Sequence, residues 1–93
     1  MIRSFADRYT KEIFESGRSR RFPSAIIKRV LRRLDYIDHA GTIADLKLPK
    51  SNRLHELSDD RKGQFSISVN DQWRICFRFV DGDAFDVELT DYH

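Results

Sequence analysis

The chain has a single cysteine, Cys76, among 93 residues. One thiol excludes an internal disulfide and suits a reducing compartment. No apolar run approaches the ~20 residues that a bilayer-spanning helix needs, and the opening stretch MIRSF lacks the apolar segment of a signal peptide. Metal-ligand spacing is missing as well: His39, His55 and His93 stand far apart, and Cys76 has no CxxC partner. There is no glycine-rich phosphate loop and no GxSxG. Internal repeats and low-complexity linkers are absent too. Together these absences remove metallohydrolases, NTPases and serine hydrolases from the first rank. They predict a soluble cytoplasmic protein with no membrane partner, no metal and no cofactor.

What is present is enough for one core. Hydrophobic residues make up 40% of the chain, with seven Phe and one Trp, which suits a single domain over residues 1–93. Charged residues are 34% of the total and nearly balanced at net +2. The balance hides segregation, because Lys and Arg are clustered.

The clearest pattern lies in residues 64–93. Three runs, QFSISV, WRICFRFV and AFDVELTDYH, alternate apolar and polar residues and are separated by NDQ and DGD. Such runs predict an antiparallel β-meander. Phe65, Ile67 and Val69 share one face, as do Trp73, Ile75, Phe77 and Phe79, and then Phe85, Val87 and Leu89. A three-residue loop at Asn70-Asp71-Gln72 pairs Val69 with Trp73 and aligns both apolar sets. The same reasoning favours Asp81-Gly82-Asp83 as a three-residue loop, although Asp-Gly alone suggests a two-residue turn; the longer loop places Phe79 opposite Phe85, Phe77 opposite Val87 and Ile75 opposite Leu89. The other face then carries Arg74, Cys76, Arg78, Asp86, Glu88, Thr90 and Tyr92, with Arg78 across from Asp86.

The first half reads as helical. Residues 1–5 suit a short edge strand. Ser4 and Asp7 form a weak capping-box pattern ahead of Phe5, Tyr9, Ile13 and Phe14 at helical spacing, and Gly17 suits the C-terminal cap. A basic linker follows at residues 18–21. Pro23 and Ser24 open a second helix that runs to about Ala40 and ends at Gly41, with Ile27, Val30, Leu31, Leu34 and Ile37 as its buried stripe. Lys28, Arg29, Arg32 and Arg33 occupy the rest of that helix, either as a solvated face or as a contact surface for RNA or an acidic partner. His39 reads as a cation favoured by the helix C-terminus. Residues 42–49 are a connector with a short helical turn, residues 50–57 lead into a further strand, and residues 58–63 make a polar turn. The expected fold class is α+β, with two N-terminal helices packed on a curved antiparallel sheet of about four to five strands.

The residues left over for chemistry are His55, Arg74, Asp91, Tyr92 and His93, with Arg53, Arg61, Lys62 and Arg78 around them as RNA-binding candidates. RNA can be cut without a metal because its ribose 2′-hydroxyl is a built-in nucleophile. A general base, a general acid and a cation for the charged phosphorane then suffice. His and Asp fit the first two roles, Arg74 fits the third through bidentate contact with phosphate oxygens, and Tyr92 can hydrogen-bond or stack on a base. The same residues have structural readings: a strand-face histidine, an exposed arginine and a frayed C-terminus. A nuclease and a protein-binding module both remain open at this point.

The stretches RLHEL at 53–57, RKGQFSISVNDQWRICF at 61–77 and DGDAFDVELTDYH at 81–93, with the opening MIRSF, resemble the HigB toxins of the RelE/ParE superfamily, components of bacterial type II toxin–antitoxin systems. The resemblance spans essentially the whole chain. Its most specific parts are the WR of the penultimate strand and the terminal DYH. It implies a microbial-RNase-like fold and a ribosome-dependent, metal-independent endoribonuclease that cuts mRNA in the 30S A site and inhibits translation. It also implies neutralisation by a HigA-type helix-turn-helix antitoxin, with operator DNA bound only through that antitoxin. The catalytic positions it implies are His55 of the LH motif, Arg74, and the terminal Asp91, Tyr92 and His93. The chain departs from the family pattern at Ser58, where relatives often carry Lys. The nearby cations that can replace it are Arg61 and Lys62, and the departure bears on how strong the activity is. Two other functions compete: a ParE-like toxin that binds DNA gyrase without cutting nucleic acid, and a degenerate toxin kept as a binding partner.

Overall fold

The computed structural model describes residues 1–91, so Tyr92 and His93 lie outside the described residues. Helix α1 spans Arg8–Ser16 and α2 spans Ser24–His39. A connector with 3-10 turns at Ile43–Lys47 and Lys50–Asn52 leads to β1, His55–Glu56. A third 3-10 turn, Asp59–Arg61, precedes β2 (Phe65–Ser68), β3 (Trp73–Val80) and β4 (Asp83–Asp91). The four strands form one antiparallel sheet in sequence order, and both helices pack against its apolar face.

Helix α1 begins at Asp7, whose carboxylate accepts the Thr10 N–H at 2.6 Å. The predicted cap, Ser4, is needed elsewhere: its hydroxyl accepts the Asp86 N–H at 2.9 Å. Residues 1–5 do lie along the sheet edge, but as two isolated parallel bridges to β4, Ile2 to Ala84 and Phe5 to Val87, rather than as a continuous strand. Gly17 closes α1 as expected, in the left-handed region at φ 72°, with its N–H donated to the Ile13 carbonyl. Along α2 the fully covered residues are Ile26, Val30, Leu34 and Ile37. Ile27 and Leu31, predicted for that stripe, flank it as half-buried residues, and Ile26 takes the inner position. The ring of His39 is 2.9 Å from the Asp35 carbonyl, in the last turn of the helix.

The β2–β3 hairpin has the expected register. Ile67 pairs with Ile75, Ser68 with Arg74, and the Val69 N–H reaches the Trp73 carbonyl at 2.8 Å. The Asn70 side chain organises the turn by accepting from the Gln72 and Trp73 N–H groups.

The β3–β4 hairpin differs from expectation at its tip. The loop is the two residues Asp81 and Gly82, both at positive φ (50° and 84°), so Val80 pairs with Asp83 and Phe79 with Ala84. Asp-Gly favours this tight turn because its backbone twist matches that of the flanking strands. The register then shifts between Cys76 and Arg78, and below the shift Ile75 meets Leu89 as predicted. One extra residue on β4 makes the difference. Phe77 faces both Asp86, at φ 53°, and Val87, as in a β-bulge. Ala84, rather than Phe85, therefore fills the core beside Phe79.

The core centres on Phe77, Ile13, Leu34, Ile37, Leu46, Ile67 and Ile75, all under 2% exposed. Trp73 packs edge-on against Phe22 with ring centroids 5.5 Å apart. The buried Asn52 amide donates to the Leu46 and Leu48 carbonyls, which ties the two 3-10 turns of the connector together. Among the described residues no helix is long and apolar enough to cross a membrane.

Candidate functional site

Strand alternation sends every second side chain of the sheet away from the helices. On that side the register aligns His55, Ser66, Cys76 and Glu88 in one row across all four strands. The next row holds Ser68, Arg74 and Thr90. The polar face predicted from the sequence therefore exists, with Arg74, Cys76, Glu88 and Thr90 on it. Its inner part is covered: Ser66 and Cys76 are at most 1% exposed.

Arg74 is held in place within this face. Its Nε donates to the Ser66 hydroxyl at 2.9 Å and its Nη2 to the Arg53 carbonyl at 2.8 Å. Arg53 itself adopts a left-handed conformation at φ 46°, which turns the connector into β1. The Ser66 and Arg53 acceptors restrain the Arg74 guanidinium against the sheet.

Beside it is a cleft of about 390 Å³ lined by His55, Ser58, Asp60, Arg61, Cys76 and Thr90, among others. His55 is exposed at the sheet edge. Arg61 projects from the 3-10 turn over the sheet, and its Nη1 donates to Gln64 Oε1 and Glu88 Oε1, both at 3.1 Å. Burial pushes the Cys76 thiol above its ordinary pKa, so it remains protonated at neutral pH and is a poor nucleophile. Among the described residues no three His, Cys, Asp or Glu side chains converge as a metal site requires.

The remaining candidates are dispersed. Asp91 pairs with Trp73, so it shares the helix-facing side of the strand end rather than the side of Thr90 and Arg74. Its Oδ2 accepts from the Gln72 amide at 3.1 Å. Tyr92 and His93 lie outside the described residues. Arg78 is engaged with Asp86 in the expected ion pair, at 3.4 Å. Lys62 is exposed at the end of the 3-10 turn. Arg53 points to a different concavity, a groove of about 820 Å³ between α2, the connector and the β2–β3 loop. Lys28, Arg29, Arg32, Arg33 and Arg53 line it with a single carboxylate, Asp71. Arg33 anchors its wall by donating to the Ser68 carbonyl at 2.9 Å, and burial lowers the pKa of that guanidinium.

Two features were not anticipated. One is the joining of Arg53 to the basic face of α2, which depends on how the connector folds back. The other is the Arg61–Glu88 pair, for which the only sequence signal was that Glu88 falls on the polar face.

Comparison with known proteins bears on these features. Residues 3–93 match the family model for RelE-like toxins of the type II toxin–antitoxin system HigB. The chain is 40% identical to the Endoribonuclease HigB of Proteus vulgaris over 93 residues, covering 100% of both proteins. It is 37% identical to Toxin HigB-1 of Vibrio cholerae over 90 residues, or 96% of this chain and 95% of the relative. Among solved structures, the YoeB–YefM complex from Staphylococcus aureus contains a chain that superposes with a TM-score of 0.63 at 16% identity, covering 100% of this chain and 95% of that one. At that identity the likeness concerns the fold.

Proposed function

Because this chain belongs to the HigB-like family of RelE-like toxins of type II toxin–antitoxin systems, we propose that it is an endoribonuclease that cuts mRNA on the ribosome without a metal. The observation that carries this reading is the cleft holding His55 and Arg61, one row of the sheet from a restrained Arg74. His55 can serve as one of the two proton-transfer groups that transesterification of RNA needs, and the guanidinium groups can hold the phosphate. The 2′-oxygen attacks the adjacent phosphorus, a base takes its proton, the P–O5′ bond breaks and an acid protonates the leaving 5′-oxygen. A 2′,3′-cyclic phosphate and a 5′-hydroxyl result, with no further reactant. Base and acid are drawn from His55 and His93; Asp91 pairs with Trp73 on the helix-facing side of its strand, away from Arg74. Arg74 grips the non-bridging oxygens as charge builds on the phosphorane, and Tyr92 contacts the substrate.

The basic groove supports the choice of the ribosome as the place of action. Five cations against one carboxylate favour a polyanion, on a chain whose net charge is only +2. A cytoplasmic location, silencing by a HigA-type antitoxin and contact with operator DNA through that antitoxin belong to the same reading.

The test is induction in cells followed by mapping of RNA ends. Cuts confined to translated codons, lost with His55→Ala and prevented by the co-expressed antitoxin, are expected. Growth arrest with intact mRNA rejects the proposal, and arrest that persists with His55→Ala and altered DNA supercoiling points to gyrase binding instead.

A further inference from the structure

Among the described residues, the Arg61 guanidinium is restrained on one side only. A guanidinium has five N–H donors. The two on Nη1 are taken up by Gln64 Oε1 and Glu88 Oε1, each at 3.1 Å. The Nε and Nη2 donors engage no other described residue, and Arg61 lines the cleft that contains His55. Glu88 sits on β4 in the row of His55, Ser66 and Cys76, so its position is set by the sheet. Arg61 itself sits in a three-residue turn between β1 and β2, a segment with no ladder of its own.

We infer that Arg61 grips a substrate phosphate in this cleft and that Glu88 is its positioning residue. It holds the Nη1 edge so that the Nε–Nη2 fork stays available to a phosphate. This inference rests on the nuclease reading for its substrate, whereas the geometry of the pair does not. A paired edge and an available edge suit Arg better than Lys, whose ammonium has no second edge to present. Glu88 has two opposing effects. It lowers the entropy lost when Arg61 binds a ligand, and its negative charge repels the phosphate that Arg61 is to hold. Glu88→Gln separates the two, because the amide oxygen still accepts from Nη1 while the charge is gone. Glu88→Ala removes both.

The experiment measures binding of the intact protein to a 2′-O-methyl RNA oligonucleotide, which cannot be cut, alongside cleavage of translated mRNA. Arg61→Ala is expected to weaken binding roughly 10- to 100-fold, the scale of a charge-assisted hydrogen bond. Glu88→Ala should weaken it in the same direction, whereas Glu88→Gln should tighten it about threefold through the lost repulsion. In the Arg61→Ala background both Glu88 variants should have no further effect. The Arg61 Nε–H resonance in NMR spectra should sharpen and average with Glu88→Ala, and to a lesser degree with Gln64→Ala. Thermal melts of each variant separate these effects from unfolding. Equal losses with Ala and Gln at position 88, or an undiminished Glu88→Ala effect without Arg61, overturn the inference. Opposite binding effects of the two Glu88 variants in a protein that cuts no mRNA would uphold the pair while ending the nuclease reading.

Discussion

The basic groove on α2 and the cleft at the sheet edge differ in charge. The groove on α2 is lined by five basic side chains and one carboxylate. The cleft at the sheet edge sets His55 and Arg61 against Asp59 and Asp60. A surface of nearly uniform sign raises affinity and association rate for a polyanion, and it does so in a salt-dependent way. A mixed surface is a weak attractor, but it can hold a proton donor, an acceptor and a phosphate clamp at fixed positions. On the proposed reading, the groove supplies long-range attraction for the polyanion, while the cleft supplies the chemistry and a local phosphate contact. Arg53 joins them: it lines the groove, and its carbonyl restrains Arg74.

This division can be broken experimentally. His55→Ala is expected to lower cleavage by about 10²–10⁴-fold, the usual scale for losing a proton-transfer group, with RNA affinity little changed. Parallel loss of affinity in a filter-binding assay would erase the distinction. Phe77→Ala should spare neither region, because that ring is fully buried beneath the sheet; a loss of about 3–5 kcal/mol in denaturant unfolding is expected, with binding and cleavage failing together. Arg29→Ala combined with Arg32→Ala should weaken binding to 30S subunits about tenfold at moderate salt and flatten the salt dependence by roughly one to two units of slope. The single-turnover rate of the bound complex should stay at the parent value.

The smallest effect concerns pH in the connector, at the 3-10 turn Ile43–Lys47. Asp45 accepts the Thr42 and Gly41 N–H groups at 3.0 and 2.9 Å, which holds its carboxyl below the usual range. A depressed carboxylate stabilises the fold fully above its unfolded value of ~4, and the contribution disappears as pH falls through the lower folded value. Thermal melts between neutral and acid pH should therefore show a slight acid-side decline. Asp45→Asn should reduce that decline and lower the melting temperature a little at neutral pH.

The legible parts of the fold were those with a local cause. Alternation of Phe65, Ile67 and Val69 against Trp73 and Ile75 specified the first hairpin register, because a one-residue slip would have turned every apolar side chain to solvent. The second hairpin had two consistent solutions at its tip. Extending the alternation through Asp83 gave one. The other, a tight Asp-Gly turn corrected by a bulge at Asp86, is the one adopted. A bulge has no simple letter code, so Phe85 and Ala84 exchanged places relative to expectation. On α2 the stripe was offset at one end, with Ile26 inside Ile27, because apolar residues at both positions satisfy the helical period.

Of the candidate site, the sequence by itself determined which residues could carry the chemistry and that Arg74, Cys76, Glu88 and Thr90 share a face. Period-two alternation on a half-buried sheet allows little else. Tertiary structure alone decided that Arg61 reaches Glu88, 27 positions away, that Arg53 meets the basic face of α2, and that Asp91 shares its rung with Trp73. Those placements depend on how irregular turns fold back over a sheet and on where a bulge resets the register, and neither is encoded in the spacing of residues along one strand.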